Sequence, residues 1–159
     1  MSDLYTVQVE PPRGTFQARC DEKGRLKLPA SFKRFLERMG ESVVFCTTMD
    51  KRIARIYPIS IWKKNELFFQ SFQTNPRAAA DVSLIANHYG ADSELDNQGR
   101  ILLPPALRRE LNLENEGVWM EHFRGRFNVY SDALYQERLS HATEGLSDKL
   151  DALEQGGLL

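Results

Sequence analysis

The feature that most constrains this chain is a motif that occurs twice. Asp21-Glu22-Lys23-Gly24-Arg25-Leu26-Lys27-Leu28-Pro29 returns 75 residues later as Asp96-Asn97-Gln98-Gly99-Arg100-Ile101-Leu102-Leu103-Pro104. Both copies place Asp, Gly, Arg, two apolar residues around one variable position, and Pro in the same order. Such a repeat restricts the fold to architectures that use one supersecondary unit twice. Each residue type has a local job. Asp starts a turn by accepting a backbone N–H bond two residues on, and Gly permits a positive φ. The alternation Leu26-x-Leu28 and Ile101-x-Leu103 buries one face of a short strand. Pro then opens a helix, where its missing N–H costs nothing. The predicted unit is strand, tight turn, strand, helix. Taken alone, the corner allows two readings: the Asp–Arg pair only pins a hairpin, or the Arg is displayed to a ligand.

The flanking segments repeat as well. Arg13–Cys20 alternates as a strand into the first motif. After Pro29, the residues Phe32, Phe35, Leu36 and Met39 make one apolar helical stripe, and Gly40 stops the helix. A hairpin follows, with strands around Val43–Thr48 and Ile53–Tyr57. The second copy has a short helix at Leu107 and Leu111, then a hairpin around Gly125 that ends at Tyr130. Two helices join the copies. Ser60 is the expected cap of the first, and Asn75-Pro76 is a strong start for the second. Asp132 is the expected cap of a final helix. Beyond Gly145, leucines at 146, 150 and 153 suggest a frayed helix or an unstructured tail. Residues 1–12 read as an irregular arm. The organisation is therefore repeat 1 at 13–59, a helical linker at 60–90, repeat 2 at 91–133, and a C-terminal helix and tail at 134–159. The fold class is α+β, with strands and helices of both copies in one body.

Composition narrows the function. At 42% hydrophobic and 10% aromatic residues, the chain can bury a substantial core. No apolar run approaches the roughly 20 residues needed to span a bilayer, and the N-terminus lacks a signal-peptide pattern. Cys20 and Cys46 are lone residues and read as reduced thiols, with Cys46 in a strand core. His88, His122 and His141 have no metal spacing, and no nucleotide-binding or nucleophile-elbow motif is present. The expectation is a non-enzyme without metal or cofactor. The run Phe68-Phe69-x-x-Phe72 reads as core or subunit interface rather than a base-stacking platform. The net charge is only −1, yet residues 1–75 carry 13 Lys/Arg against 8 Asp/Glu, and residues 76–159 carry 8 against 14. That asymmetry points to a polyanion-facing surface on the first half, or simply to acidic helix faces in the second.

The two corners, with Gly14-Thr15-Phe16 before the first, Asn75-Pro76-Arg77 between them and Ala91-x-x-Glu94-x-Asp96 leading into the second, closely resemble the tandem motifs of the MraZ family. The resemblance covers roughly residues 13–142. It implies two fused AbrB-like (SpoVT/AbrB) swapped-hairpin repeats forming a pseudo-twofold β-barrel with flanking helices. It also implies a cytoplasmic, nucleoid-associated regulator that binds repeated promoter boxes in double-stranded DNA upstream of division and cell-wall genes, as a ring-shaped homo-oligomer with no membrane attachment. An AbrB-type antitoxin and a scaffold that binds no nucleic acid are the other two readings.

The expected DNA-binding residues are Arg25, Lys23, Lys27, Arg19 and Arg100. Asp21, Gly24, Asp96 and Gly99 are the expected structural residues of the corners. Lys23, Arg25 and Lys27 lie within five residues at odd positions, whereas Gln98 and Leu102 replace the two lysines in the second copy. The first corner is therefore expected to face DNA, and the second to be mainly structural.

Overall fold

Every strand of the first repeat is paired with a strand of the second. In the computed structural model, which describes residues 9–159, the first repeat supplies β1 (Thr15–Cys20), β2 (Arg25–Lys27), β3 (Val43–Thr47) and β4 (Ala54–Pro58). The second supplies β5 (Ala91–Glu94), β6 (Arg100–Leu102), β7 (Glu116–Phe123) and β8 (Arg126–Ser131). The sheet order is β5-β3-β4-β8-β7-β1-β2-β6, and all pairings are antiparallel. The four cross-repeat pairs are β1–β7, β2–β6, β3–β5 and β4–β8. At the two ends of this order, the Leu102 N–H donates to Ser93 Oγ at 2.9 Å, so the sheet curls into a nearly closed barrel. This is the expected α+β, pseudo-twofold barrel of swapped hairpins.

Strand alternation fills the barrel. Leu26, Ile56, Ile101, Met120, Phe127 and Val129 point inward and are fully or almost fully buried. Helix α1 (Ala30–Met39) plugs one end through Phe32, whose ring lies 5.4 Å from Phe16 and 4.6 Å from Phe127. Gly40 ends α1 at φ 70°, as its position predicts. Helix α2 (Ile59–Ser71) and helix α3 (Pro76–Tyr89) pack on the outside of β3 and β4, where Trp62 stacks on Phe45 at 4.4 Å. Helix α4 (Pro105–Glu110) follows the second motif, and α5 (Asp132–Thr143) lies over β7 and β8, with Tyr135 stacked on Trp119 at 4.5 Å.

Several local expectations are revised. Pro29 and Pro104 sit at the N-cap rather than inside their helices. Ser60 lies inside α2, and its N–H is capped from a distance by the Glu41 carboxylate at 2.9 Å. Ser131, not Asp132, caps α5 by accepting the Leu134 N–H; Asp132 accepts the Trp119 indole N–H at 3.0 Å instead. The tail forms a regular helix, α6 (Leu146–Gln155), with Leu146, Leu150 and Leu153 exposed. Asn75 caps α3 as expected, accepting the Ala78 N–H at 3.1 Å. Residues 9–12 of the expected arm carry no helix or strand, and the rest of it lies outside the described residues. Phe69 packs near Trp62, but Phe68 is 56% exposed.

Both cysteines are buried and unpaired, and burial raises the Cys20 thiol to about 11 and the Cys46 thiol to about 12, which makes them inert core residues. Among the described residues, no helix is long and apolar enough to cross a membrane, and no cluster of metal-ligating side chains occurs.

Because each strand of one repeat leans on the other, neither repeat can bury its apolar face alone. Residues 1–75 and 76–159 expressed separately are expected to be unfolded or aggregated by circular dichroism, and to regain a cooperative melt only when mixed. Two independently melting halves would contradict the cross-repeat barrel.

Candidate nucleic-acid interface

The two corners have the same internal bonding. In the first, Asp21 Oδ1 accepts the N–H groups of Lys23 and Arg25, both at 2.9 Å, while its Oδ2 accepts Arg25 Nε at 2.8 Å. The Asp21 N–H donates to the Arg25 carbonyl at 2.9 Å, and the Gly24 N–H to the Asp21 carbonyl at 3.0 Å. In the second, Asp96 bonds Gln98, Arg100 and the Arg100 Nε at 2.8, 2.9 and 2.9 Å. The backbone N–H of Arg25, then its guanidinium and the Lys23 N–H, hold the Asp21 carboxyl below the usual carboxylate range; Arg100 and Gln98 do the same for Asp96. The Asp–Arg pair thus shapes the turn. It engages only Nε of each arginine, so the terminal nitrogens of Arg25 and Arg100 have no hydrogen-bond partner among the described residues.

Pairing of β2 with β6 sets the two corners side by side. The register opposes Arg25 to Leu102, Leu26 to Ile101 and Lys27 to Arg100. Leu26 and Ile101 point inward, so Arg25, Lys27, Arg100 and Leu102 share the outer face of one short ribbon. The β1–β2 register pairs Cys20 with Leu26, which sets Arg19 beside Lys27, and both line one shallow cleft with Gln17 and Leu28. A row of cations, Arg19, Lys27 and Arg100, crosses three strands. Arg25 stands in the next row, and exposed Lys23 sits in the adjoining turn. All five expected cations therefore fall on one side of the barrel. The expected separation into a ligand-facing corner and a structural one is not spatial, because Arg100 lies directly opposite Lys27. Arg19 is partly committed, donating to the Asn115 carbonyl and side chain at 3.2 and 2.9 Å.

The corners are also braced across the repeats. The Leu28 N–H donates to the Gly99 carbonyl and the Leu103 N–H to the Gly24 carbonyl, each at 2.9 Å. Beneath Gly24 lies the guanidinium of Arg108 from α4, buried and donating to the Leu103 carbonyl at 2.7 Å and to Glu114 at 3.4 Å. A Cβ at Gly24 would sit 2.2 Å from Arg108 Nη1. The matching residue of the first repeat, Lys33, lies below Gly99, with its Cδ 3.2 Å from such a Cβ. Arg108 was not anticipated. Its only sequence signal is that it stands 75 residues after Lys33, a cation at the same place after each motif.

The "Transcriptional regulator MraZ" of Acidobacterium capsulatum is 41% identical over 107 residues, covering 67% of this chain and 73% of that protein. The protein of the same name from Shewanella loihica is 30% identical over 138 residues, covering 83% and 87%. That of Desulfitobacterium hafniense is 31% identical over 146 residues, covering 91% and 98%. The chain belongs to the MraZ family. A family profile described as "MraZ protein, putative antitoxin-like" matches residues 90–155, which contain the second corner, β7, β8 and both C-terminal helices. In this chain the first corner carries both the denser charge and the more rigid brace beneath its glycine.

That brace yields a test. Gly24 and Gly99 adopt φ values of +86° and +76°, so alanine strains both by about 1–3 kcal/mol. At Gly24 the new Cβ also meets a buried guanidinium held by two acceptors, whereas at Gly99 it meets only a flexible lysine stem. Gly24→Ala is expected to lower thermal stability distinctly more than Gly99→Ala, by at least about 1 kcal/mol beyond the shared strain. Equal losses in melting experiments would refute the brace.

Proposed function

We propose that this chain is a sequence-specific DNA-binding transcriptional regulator whose contact surface is the β2–β6 ribbon. The observation that carries the reading is the single outward face holding Arg25, Lys27 and Arg100, with Arg19 beside it and Lys23 at its edge. A two-stranded ribbon fits the major groove of B-form DNA. The open guanidinium fork of Arg25 suits a guanine edge, and Leu102, 53% exposed, suits a thymine methyl group. Lys23, Lys27 and Arg19 suit phosphates, which position the protein without reading sequence. The relatives' shared name, a transcriptional regulator, supports the same reading. The function proposed is control of division and cell-wall genes from repeated promoter boxes, in the cytoplasm at the nucleoid.

A ring-shaped homo-oligomer suits this role, since linked weak sites engage successive boxes at high effective concentration. Leu67, Phe68 and Leu84 on α2 and α3 are 66%, 56% and 67% exposed, an apolar surface that a second copy would cover. The exposed leucines of α6 favour a second reading, in which the tail holds a protein toxin; a toxin that co-purifies with the full chain and is lost on deletion of α6 would select it.

Arg25→Ala is expected to abolish sequence-specific binding while light scattering still reports an assembled protein. Lys27→Ala should weaken binding to all sequences about equally and lower the salt slope by about one unit per site. Arg100→Ala should lose affinity as well, because it faces the same ligand as Lys27. Footprinting and polarisation titrations at two salt concentrations decide the matter. Normal footprints from Arg25→Ala, or a strict monomer both free and on DNA, would overturn the respective parts.

A further inference from the structure

A second cationic cluster stands on the opposite side of the barrel. Strands β4 and β8 pair with Arg55 opposite Asn128 and Ile56 opposite Phe127. Ile56 and Phe127 point inward, so Arg55, Tyr57, Arg126 and Asn128 lie on the outer face. Helix α2 covers this face on one side through Trp62, 5.0 Å from Tyr57, and α5 covers it on the other through Tyr135, 5.6 Å from Tyr130. The half-buried arginines occupy the strip between them. Arg55 Nη1 donates to the Tyr57 hydroxyl at 3.1 Å, and its Nε is buried with no acceptor. The Arg126 guanidinium lies 5.8 Å above the Tyr57 ring and 4.8 Å from the Phe123 ring, and its Nε donates to Asn128 Oδ1 at 3.1 Å. Arg124 lies 5.0 Å over the other neighbour, Phe123.

Among the described residues, neither Arg55 nor Arg126 has a carboxylate within ion-pair distance. Arg25, Arg52, Arg100 and Arg108 each have one. The acid in the same cross-strand row, Glu121, already accepts from Asn128 Nδ2 at 3.3 Å and from the Tyr130 hydroxyl. Burial lowers the Arg126 pKa, and the Arg55 and Arg124 cations push it the same way. Asp50 acts on Arg55 through space, but no hydrogen bond or ion pair joins them among the described residues. Half-buried like charges without a directly paired acid are costly, and native proteins resolve that cost by pairing them.

We propose that Arg55 and Arg126 form an oxyanion site that takes a phosphate group, distinct from the DNA-facing ribbon. Charge and acceptor number select the ligand class. One guanidinium meets Tyr57 at its hydroxyl and the other lies over its ring face, so both flank the same side chain. One guanidinium fork binds a carboxylate or a phosphate equally well, but a phosphate group has the extra acceptor oxygen and the extra negative charge to engage and neutralise both arginines. Occupancy would neutralise the β4–β8 pair and stabilise the folded barrel by linkage. Free inorganic phosphate and a small phosphomonoester share this chemistry.

The test titrates the full chain with inorganic phosphate, and separately with adenosine monophosphate, by calorimetry in chloride buffer of matched ionic strength. Wild type is expected to bind at least one of the two saturably, with a rise in melting temperature; the tighter one identifies the source. Arg55→Met should weaken binding by at least about tenfold. Without phosphate, its melting temperature should equal or exceed wild type, because a half-buried charge that lacks an ion-pair partner is removed. If Arg55→Met fails to fold, Arg126→Gln serves the same comparison. The double variant Arg25→Ala/Lys27→Ala should retain the phosphate response while losing DNA binding, which separates this site from the ribbon. The proposal is overturned if wild type binds neither ligand saturably, if Arg55→Met or Arg126→Gln binds as wild type does, or if the ribbon variant abolishes phosphate binding.

Discussion

The structure depends on the contact at the pseudo-twofold axis, where Leu26 faces Ile101. Around that pair, each corner glycine offers its carbonyl to the N–H of the last leucine of the other motif. A buried backbone acceptor needs a partner, and here the partner belongs to the other repeat. The corners consequently cannot be completed one at a time. This reciprocity fixes the register of β2 against β6, and the register decides that Arg25, Lys27 and Arg100 share a face. A one-residue slip would turn those side chains inward and bring Leu26 to the surface.

Much of this was legible in the sequence. The repeat located both corners, and the Asp and Gly positions specified their turns. The stripe from Phe32 to Leu36 and the Asn75-Pro76 start marked α1 and α3. The errors came from contacts between residues distant in sequence. Ser60 looked like a cap, but Glu41 supplies the acceptor across a hairpin. Asp132 was a good local cap candidate, yet Trp119 draws its carboxylate away and Ser131 takes over. Arg108 is marked only by its 75-residue offset from Lys33, because its role is to support a glycine in the other repeat. The placement of Arg100 beside Lys27 was likewise hidden, since pairing between repeats has no local signature. The five cations were legible as a list, but not as one surface.

The pseudo-symmetry is also unequal in a way that matters physically. The first corner bears Lys23, Arg25 and Lys27, and Arg108 stiffens it from below. The second has one cation on its ribbon, an exposed Leu102, and a flexible lysine under its glycine. Fusing two copies in one chain lets each half carry a different side-chain set on the same backbone. A symmetric dimer of one copy would have to present identical halves.

Cross-repeat pairing has a further consequence during synthesis. Strand β1 leaves the ribosome about a hundred residues before β7, the neighbour it pairs with along its whole length. At translation rates of roughly 5–20 residues per second, its apolar face and free edge wait roughly 5–20 seconds for a partner. The α1 helix can shelter part of that surface through Phe32, but not the edge. A nascent chain of this design therefore has a defined interval of vulnerability, which ends only when the β7–β8 hairpin emerges and the barrel closes.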